Sequence, residues 1–289
     1  MAAAIRGIGL APYVISLEDE DVLKTVAYAY IKNSIPSILI VNLWDFSNSE
    51  EPVFIGKHAV AVTGYSIKQS TENLAQDATQ FEAMKIDKLY VHDDQIGPFA
   101  RIEFVKSPND TYMLSSSWIG KSGKMGDVYL KPEFLLLPLY HKIRIPFERV
   151  QKVITQFDTL IKILINLNLI KNVNIEWDIF LTLSKDFKSQ IIEGHGSLKG
   201  EYRRTILQEN MPKFIWRSIA KFNRTLVFEL LFDATDIERG NCYIRSITYD
   251  ETNTEQIKTI SKELIYKFKH EIAHSLKYAF PVIELFINS

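Results

Sequence analysis

Two apolar, β-branched runs near the start of the chain constrain its fold more than any other feature. Residues 37–43 are apolar apart from Ser37 and Asn42, which is typical of a strand buried on both faces. Residues 56–66 read Gly-Lys-His-Ala-Val-Ala-Val-Thr-Gly-Tyr-Ser and have the β-branched content and bounding turn residues of a second strand. The pattern predicts a sheet with an imidazole, His58, near the start of one strand.

A third strand-like run, residues 89–92, ends in Asp93, Asp94 and Gln95. Adjacent antiparallel strands place such positions side by side, and a carboxylate fixes the tautomer of an imidazole and raises its basicity. We therefore expect Asp93 to orient His58, with Asp94 and Gln95 in support. The structural alternative is a His–Asp pair that only holds strands together.

The rest of the chain alternates between helical and strand-like patterns, which predicts an α+β protein. A boundary between Leu139 and Pro146 indicates one domain over residues 1–140 and a second α+β domain over residues 145–289. Helices are expected at residues 147–169, at 202–219 on both sides of Pro212, and at 254–280, strands at 173–183, 226–233 and 241–249, and a loop at 44–54.

Composition excludes several classes of protein. The chain has 289 residues, 46% of them hydrophobic, and a net charge of −1, which argues against bulk electrostatic binding of nucleic acid. Its single cysteine, Cys242, allows no internal disulfide and fits a reducing compartment. Residues 160–170 are too short to span a bilayer, and no secretory signal is visible. We expect a soluble, cytoplasmic protein that binds neither nucleic acid nor membrane.

Residues 1 to about 105 resemble the later part of a papain-like cysteine peptidase domain of the bacteriocin-processing (C39-like) type, without its N-terminal nucleophile segment. The resemblance rests on the helix end at residues 6–10, on Ile-Pro-Ser-Ile-Leu-Ile at 35–40, on the His58 strand through Tyr65, and on the strand that ends in Asp93. It implies a papain-like antiparallel sheet with helices. It also implies that His58 is the general base, that Asp93 orients it, and that the substrate or ligand is a peptide or protein.

The sequence departs from that family at the nucleophile. In the family the cysteine and the oxyanion-hole glutamine lie on an upstream helix, whereas this chain has no cysteine before His58. We expect either a peptidase whose cysteine comes from an N-terminal segment or a partner chain, or a non-catalytic peptide-binding or regulatory module on the same scaffold. Neither version requires a cofactor.

A literal HExxH motif near the end of the chain offers a rival enzyme class. On a helix, His270 and His274 share a face and could bind one zinc ion, with Glu271 as the base that polarises water. Zinc hydrolases of this kind need a third ligand, and Glu284 is the only acidic residue after His274. The alternative interpretation is a solvated helix face.

Asp233 and Asp236 follow a predicted strand, and either could complete the zinc site as an upstream third ligand only if the fold brings it near. Carboxylates at the end of a strand more often cap a turn, and we expect that role here. The sequence thus predicts a cysteine-peptidase-like protein built around His58 and Asp93, with a zinc-dependent hydrolase and a non-catalytic module as alternatives.

Overall fold

The computed structural model describes residues 1–47, 51–68, 78–116, 128–194, 198, 200–237 and 242–289. The helices are α1 (Ala2–Gly7), α2 (Glu20–Ile31), α3 (Phe147–Asn166), α4 (Ser184–Ile192), α5 (Gly200–Gln208), α6 (Glu251–Ser275) and α7 (Phe280–Ile287). The strands are β1 (Ala11–Ser16), β2 (Ser37–Asp45), β3 (Val53–Ile67), β4 (Gln80–Phe81), β5 (Ile86–Asp93), β6 (Gly97–Lys106), β7 (Tyr112–Ser116), β8 (Val128–Leu139), β9 (Ile175–Leu183), β10 (Phe214–Phe222), β11 (Thr225–Asp233) and β12 (Tyr243–Thr248). The protein is therefore α+β, as its sequence predicts.

The chain folds into two compact units. The first comprises Met1–Thr71 and Ala83–His141, and the second comprises Glu72–Glu82 and Lys142–Ser289. Strand β4 groups with the second unit, where it pairs in parallel with β9. Residues 140–145, where the sequence places its domain boundary, contain the junction between His141 and Lys142.

The first unit is built on one antiparallel sheet in the order β1-β8-β2-β3-β5-β6-β7. Strand β7 also pairs with β8 through Leu114 and Leu130, so six of the strands close on themselves. Closure places alternate side chains of each strand in a common interior. Fully buried interior residues come from neighbouring strands and include Leu39, Val41, Leu89 and Val91.

Helix α2 packs with the first unit. Asp19 caps it by accepting a hydrogen bond from the backbone N–H of Val22 at 2.8 Å, as expected for an aspartate at a helix N-terminus. Residues Leu23 to Tyr30 are all buried, so the helix is covered on every side. Because the helix is buried on all sides, its apolar and small residues are not confined to one face.

The second unit is a five-stranded sheet in the order β12-β11-β10-β9-β4, with helices on both faces. On one face, α3 and α7 contribute to a cluster of aromatic rings: Phe157, Trp177, Phe228 and Phe286. On the other face, α4 and α5 pack on a second apolar cluster, which includes Phe187, Ile206, Ile215 and Leu231.

Three predicted elements are wrong in part. Residues 214–219, predicted helical, belong to β10, since this stretch is buried on both faces in the middle of the sheet. The predicted final helix is divided into α6 and α7, with non-helical backbone at Phe268 inside α6. The predicted loop at 44–54 contains the end of β2 and the start of β3.

None of the helices in the described part of the chain has both the length and the apolar character needed to cross a membrane.

Candidate functional site

His58 projects into the interior of the first unit. It lies on β3 directly opposite Val41 of β2, and opposite residues in an antiparallel pair project on the same face. Val41 is fully buried, as is Val60 two residues further along β3. Only 11% of the His58 side chain is exposed to solvent. The ring therefore lies where the packed interior meets solvent.

Asp93 reaches the same point from the neighbouring strand. Strands β3 and β5 are antiparallel, with Ala61 opposite His92, so the last residue of β5 lies close to the first half of β3. The Oδ2 atom of Asp93 is 2.7 Å from Nε2 of His58. The structure thus brings together the two side chains that the sequence predicts as a pair.

The Asp93 carboxylate is held in place by its surroundings. Its side chain has no exposed surface, and its Oδ1 accepts a hydrogen bond from the backbone N–H of Gln95 at 2.8 Å. Because a carboxylate can only accept, Nε2 of the neutral imidazole must carry the proton. Nδ1 is then the ring nitrogen that carries no proton in the neutral imidazole.

Asp94 and Gln95 occupy different places in this site. Gln95 contributes its backbone N–H to Asp93, while its side chain is exposed. Asp94 is exposed, and one of its carboxylate oxygens lies within 4.8 Å of the ligand atoms of His58 and Asp93. Among the described residues these three form the one group with enough nearby donors to hold a metal ion. Within this group, Oδ2 of Asp93 is already at hydrogen-bond distance from Nε2 of His58.

Cys242 does not have the properties of a nucleophile. It lies in the second unit and is 6% exposed. Burial raises the pKa of its thiol to about 11, and the nearby Arg149 offsets this only in part. The thiolate is the reactive form of cysteine, so this thiol is inert at neutral pH.

The HExxH motif lies on the exposed second half of α6. His270, Glu271 and His274 are all exposed. No third histidine, cysteine or carboxylate joins the two imidazoles within the described ranges of the chain. Glu284, the acidic residue downstream, instead forms an ion pair with Lys269 at 3.0 Å. The zinc-hydrolase alternative therefore has two ligands and lacks a third in this part of the structure.

Asp233 caps a turn at the end of β11. Its Oδ1 accepts hydrogen bonds from the backbone N–H of Thr235 at 2.6 Å and from the Thr235 hydroxyl at 2.7 Å. This is the role that its position after a strand predicts.

The sequence did not indicate a buried ion pair in the second unit. Arg217 and Glu229 are 1% and 0% exposed and contact each other through two hydrogen bonds. Gln190 accepts a further bond from Arg217 at 2.6 Å, and the Tyr249 hydroxyl donates to Glu229 at 2.8 Å. Each charge is therefore paired within the core. In the sequence, the only sign of this ion pair is a charged residue within an otherwise apolar run.

Comparisons of the chain with protein-family models, with curated proteins and with solved structures found no match.

Proposed function

We propose that the first unit carries the base and the orienting carboxylate of a papain-like cysteine peptidase site. One observation carries the proposal: Nε2 of His58 and Oδ2 of the buried Asp93 are 2.7 Å apart at an accessible end of the interior. The order of helix end, apolar strand, histidine strand and aspartate-terminated strand supports it as well, through the family resemblance of residues 1 to about 105.

In the proposed mechanism, Nδ1 of His58 takes the proton from a cysteine thiol. The resulting thiolate attacks the carbonyl carbon of a peptide bond, and the imidazolium then donates the proton to the departing amine. Asp93 keeps the ring in the tautomer in which Nδ1 is the basic nitrogen, and its negative charge stabilises the imidazolium.

We place the thiol outside the described site, on an N-terminal segment or on a partner chain. Cys242 is the only cysteine of the sequence, and its buried, protonated thiol cannot serve this role. A small added thiol can therefore stand in for the nucleophile in a test of the base.

The experiment measures acyl transfer from a peptide 4-nitrophenyl ester to 2-mercaptoethanol in the presence of the full chain. We expect a rate above background that increases with the concentrations of both chain and thiol. His58→Ala should remove it, since a positioned general base contributes about 10²- to 10⁴-fold.

His92→Ala is the matched control. His92 is also a histidine of the first unit, but it is exposed and its ring packs against Phe99. We expect His92→Ala to leave the acyl-transfer rate unchanged. A wild-type rate no higher than background, or one that His58→Ala leaves intact, would overturn the proposed function.

A further inference from the structure

The end of β5 places two acidic side chains beside His58. Asp93, the last residue of β5, is buried, and the next residue, Asp94, is exposed. One ligand atom from each of these two residues and from His58 lies within 4.8 Å of the other two. The carboxylates are on adjacent residues, whereas the imidazole belongs to the neighbouring strand β3. Three donor atoms from two strands therefore converge on one small region.

The two carboxylates have no basic side chain to neutralise them. No lysine or arginine in the described ranges forms an ion pair with Asp93 or Asp94, and the partner of Asp93 is His58, which is charged only if protonated. The exposed Asp110 of the same unit, by contrast, pairs with Lys106 at 2.7 Å. With a neutral imidazole, the region beside His58 keeps two negative charges that a cation would offset.

The spacing of the donor atoms suits a six-coordinate divalent ion. In octahedral coordination at about 2.1 Å, neighbouring ligand atoms are about 3.0 Å apart and opposite ones about 4.2 Å apart. Nε2 of His58 and Oδ2 of Asp93 are 2.7 Å apart, so a small movement makes them neighbouring ligands. The exposed side chain of Asp94 can rotate to supply a third ligand, and water can occupy the remaining positions.

Two of the three ligands are already oriented. Oδ1 of Asp93 accepts a hydrogen bond from the backbone N–H of Gln95 at 2.8 Å, which leaves Oδ2 directed at His58. Hydrogen bonds of this kind fix the carboxylates that bind metal ions. Only 11% of the His58 side chain is exposed, so its ring is held by the surrounding structure as well. An ion can enter from the exposed side, where Asp94 lies.

We propose that His58, Asp93 and Asp94 bind a divalent cation of the Mn²⁺ type, and that this ion switches off the His58 base. Carboxylate oxygens favour Mg²⁺, Ca²⁺ and Mn²⁺, whereas an imidazole favours transition metals. Mn²⁺ satisfies both preferences, so a set of two carboxylates and one imidazole selects it among these ions.

Metal binding and base function exclude each other at His58. The ion takes the lone pair of Nε2, so the single proton of the neutral ring moves from Nε2 to Nδ1. Nδ1 can then no longer accept a proton from a thiol. This regulatory effect rests on the proposed function, whereas binding of the ion depends only on the three ligands. The two can therefore be measured separately.

Binding is measured by isothermal titration calorimetry, with MnCl₂ added to the full chain after treatment with a chelator. We expect one saturable site per chain. Even an outer-shell partner of a metal ion contributes about 10- to 100-fold to affinity, so Asp94→Asn, which removes a ligand, should weaken binding at least about 10-fold. Asp110→Asn is the matched control. Its side chain is 79% exposed in the same unit, and the substitution should leave the affinity unchanged.

Paramagnetic broadening of NMR signals locates the ion, since Mn²⁺ broadens the signals of nearby nuclei. We expect the amide signals of residues 57–59 and 92–95 to broaden first. His270→Ala tests the exposed histidine pair of α6 and should change neither the affinity nor the broadening. The proposed site would be overturned by the absence of saturable binding, by broadening centred on residues 270–274, or by equal affinities of Asp94→Asn and Asp110→Asn.

The acyl-transfer assay separates the metal site from the proposed function. If both are right, saturating Mn²⁺ should lower the transfer rate of the wild-type chain to that of His58→Ala. Asp94→Asn should need at least about 10-fold more Mn²⁺ for the same fractional loss. Binding that depends on Asp94 in a chain without acyl transfer supports the metal site and counts against the proposed function. Transfer that continues while calorimetry shows the site to be full would overturn the regulatory role.

Discussion

Replacing Asp93 by asparagine tests whether the carboxylate fixes the His58 ring. In the wild-type chain the buried carboxylate accepts from Nε2 of His58 at 2.7 Å and from the backbone N–H of Gln95 at 2.8 Å. Asparagine has nearly the same shape but only one oxygen. If that oxygen keeps the Gln95 bond, the amide NH₂ faces Nε2, which must then become the acceptor. The ring proton moves to Nδ1, and the basic lone pair of Nδ1 is lost.

The size of the effect follows from the hydrogen bond that changes. A hydrogen bond to a charged group contributes about 1.5–3 kcal/mol, and a neutral one about 0.5–1.5 kcal/mol. Asp93→Asn should therefore lower the free energy of unfolding of the first unit by about 1–2 kcal/mol. The acyl-transfer rate should fall by up to about 10⁴-fold, because the ring is held in the wrong tautomer.

Long-range ¹H–¹⁵N correlation spectra of the histidine rings report the tautomer directly, and urea unfolding reports the stability. Asp94→Asn makes the same chemical change on the exposed neighbour and should alter neither the tautomer nor the stability. An unchanged His58 tautomer in Asp93→Asn, or equal effects of the two substitutions, would refute the orienting role of Asp93.

Three further predictions concern other parts of the chain. Glu229→Ala leaves Arg217 charged and unpaired in the core and should cost about 3–5 kcal/mol in urea unfolding, whereas replacing both residues by apolar ones should restore most of the loss. Burial raises the pKa of Cys242 from 9.0 to about 11, so its contribution to stability is complete below pH 9 and is lost as the pH rises towards 11. Cys242→Ala should flatten that alkaline decline by about 2–3 kcal/mol, and an unchanged decline would count against a buried thiol. Elemental analysis of the dialysed chain should find no stoichiometric zinc, and a zinc ion that His270→Ala removes would show that the HExxH pair binds metal after all.

Strands β2, β3 and β5 of the first sheet could be predicted because they carry strong local signals. The apolar run at residues 37–43 and the run that contains His58 both correspond to strands, and they pair with each other in the structure. The start of β3 was missed because residues 51–54 read as the end of a polar loop. The apolar residues Val53 and Phe54 pair with β2 there although the preceding residues are polar. Tertiary pairing overrides weak local preference in such a stretch.

Strand β10 illustrates a different limit. Residues 214–222 contain aromatic and β-branched residues, but also Arg217, Ser218 and Lys221, which obscure the pattern of a strand buried on both faces. Arg217 is tolerated in the interior only because Glu229 on the adjacent strand β11 and Gln190 on α4 pair with it. A single sequence does not show which distant residues will pair with a buried charge, so this strand resembled a helix.

The same distinction explains why one predicted site was brought together and the other gained no third ligand. The His58–Asp93 contact requires only that two strands, close in sequence, lie side by side in an antiparallel register, and strand patterns report this. A zinc site on the HExxH helix also requires a ligand from another element, and the spacing of His270 and His274 carries no information about that element. The nucleophile of the proposed peptidase site must likewise come from another element. A pair of residues on adjacent strands can be inferred from sequence, whereas a third group from elsewhere must be found by experiment.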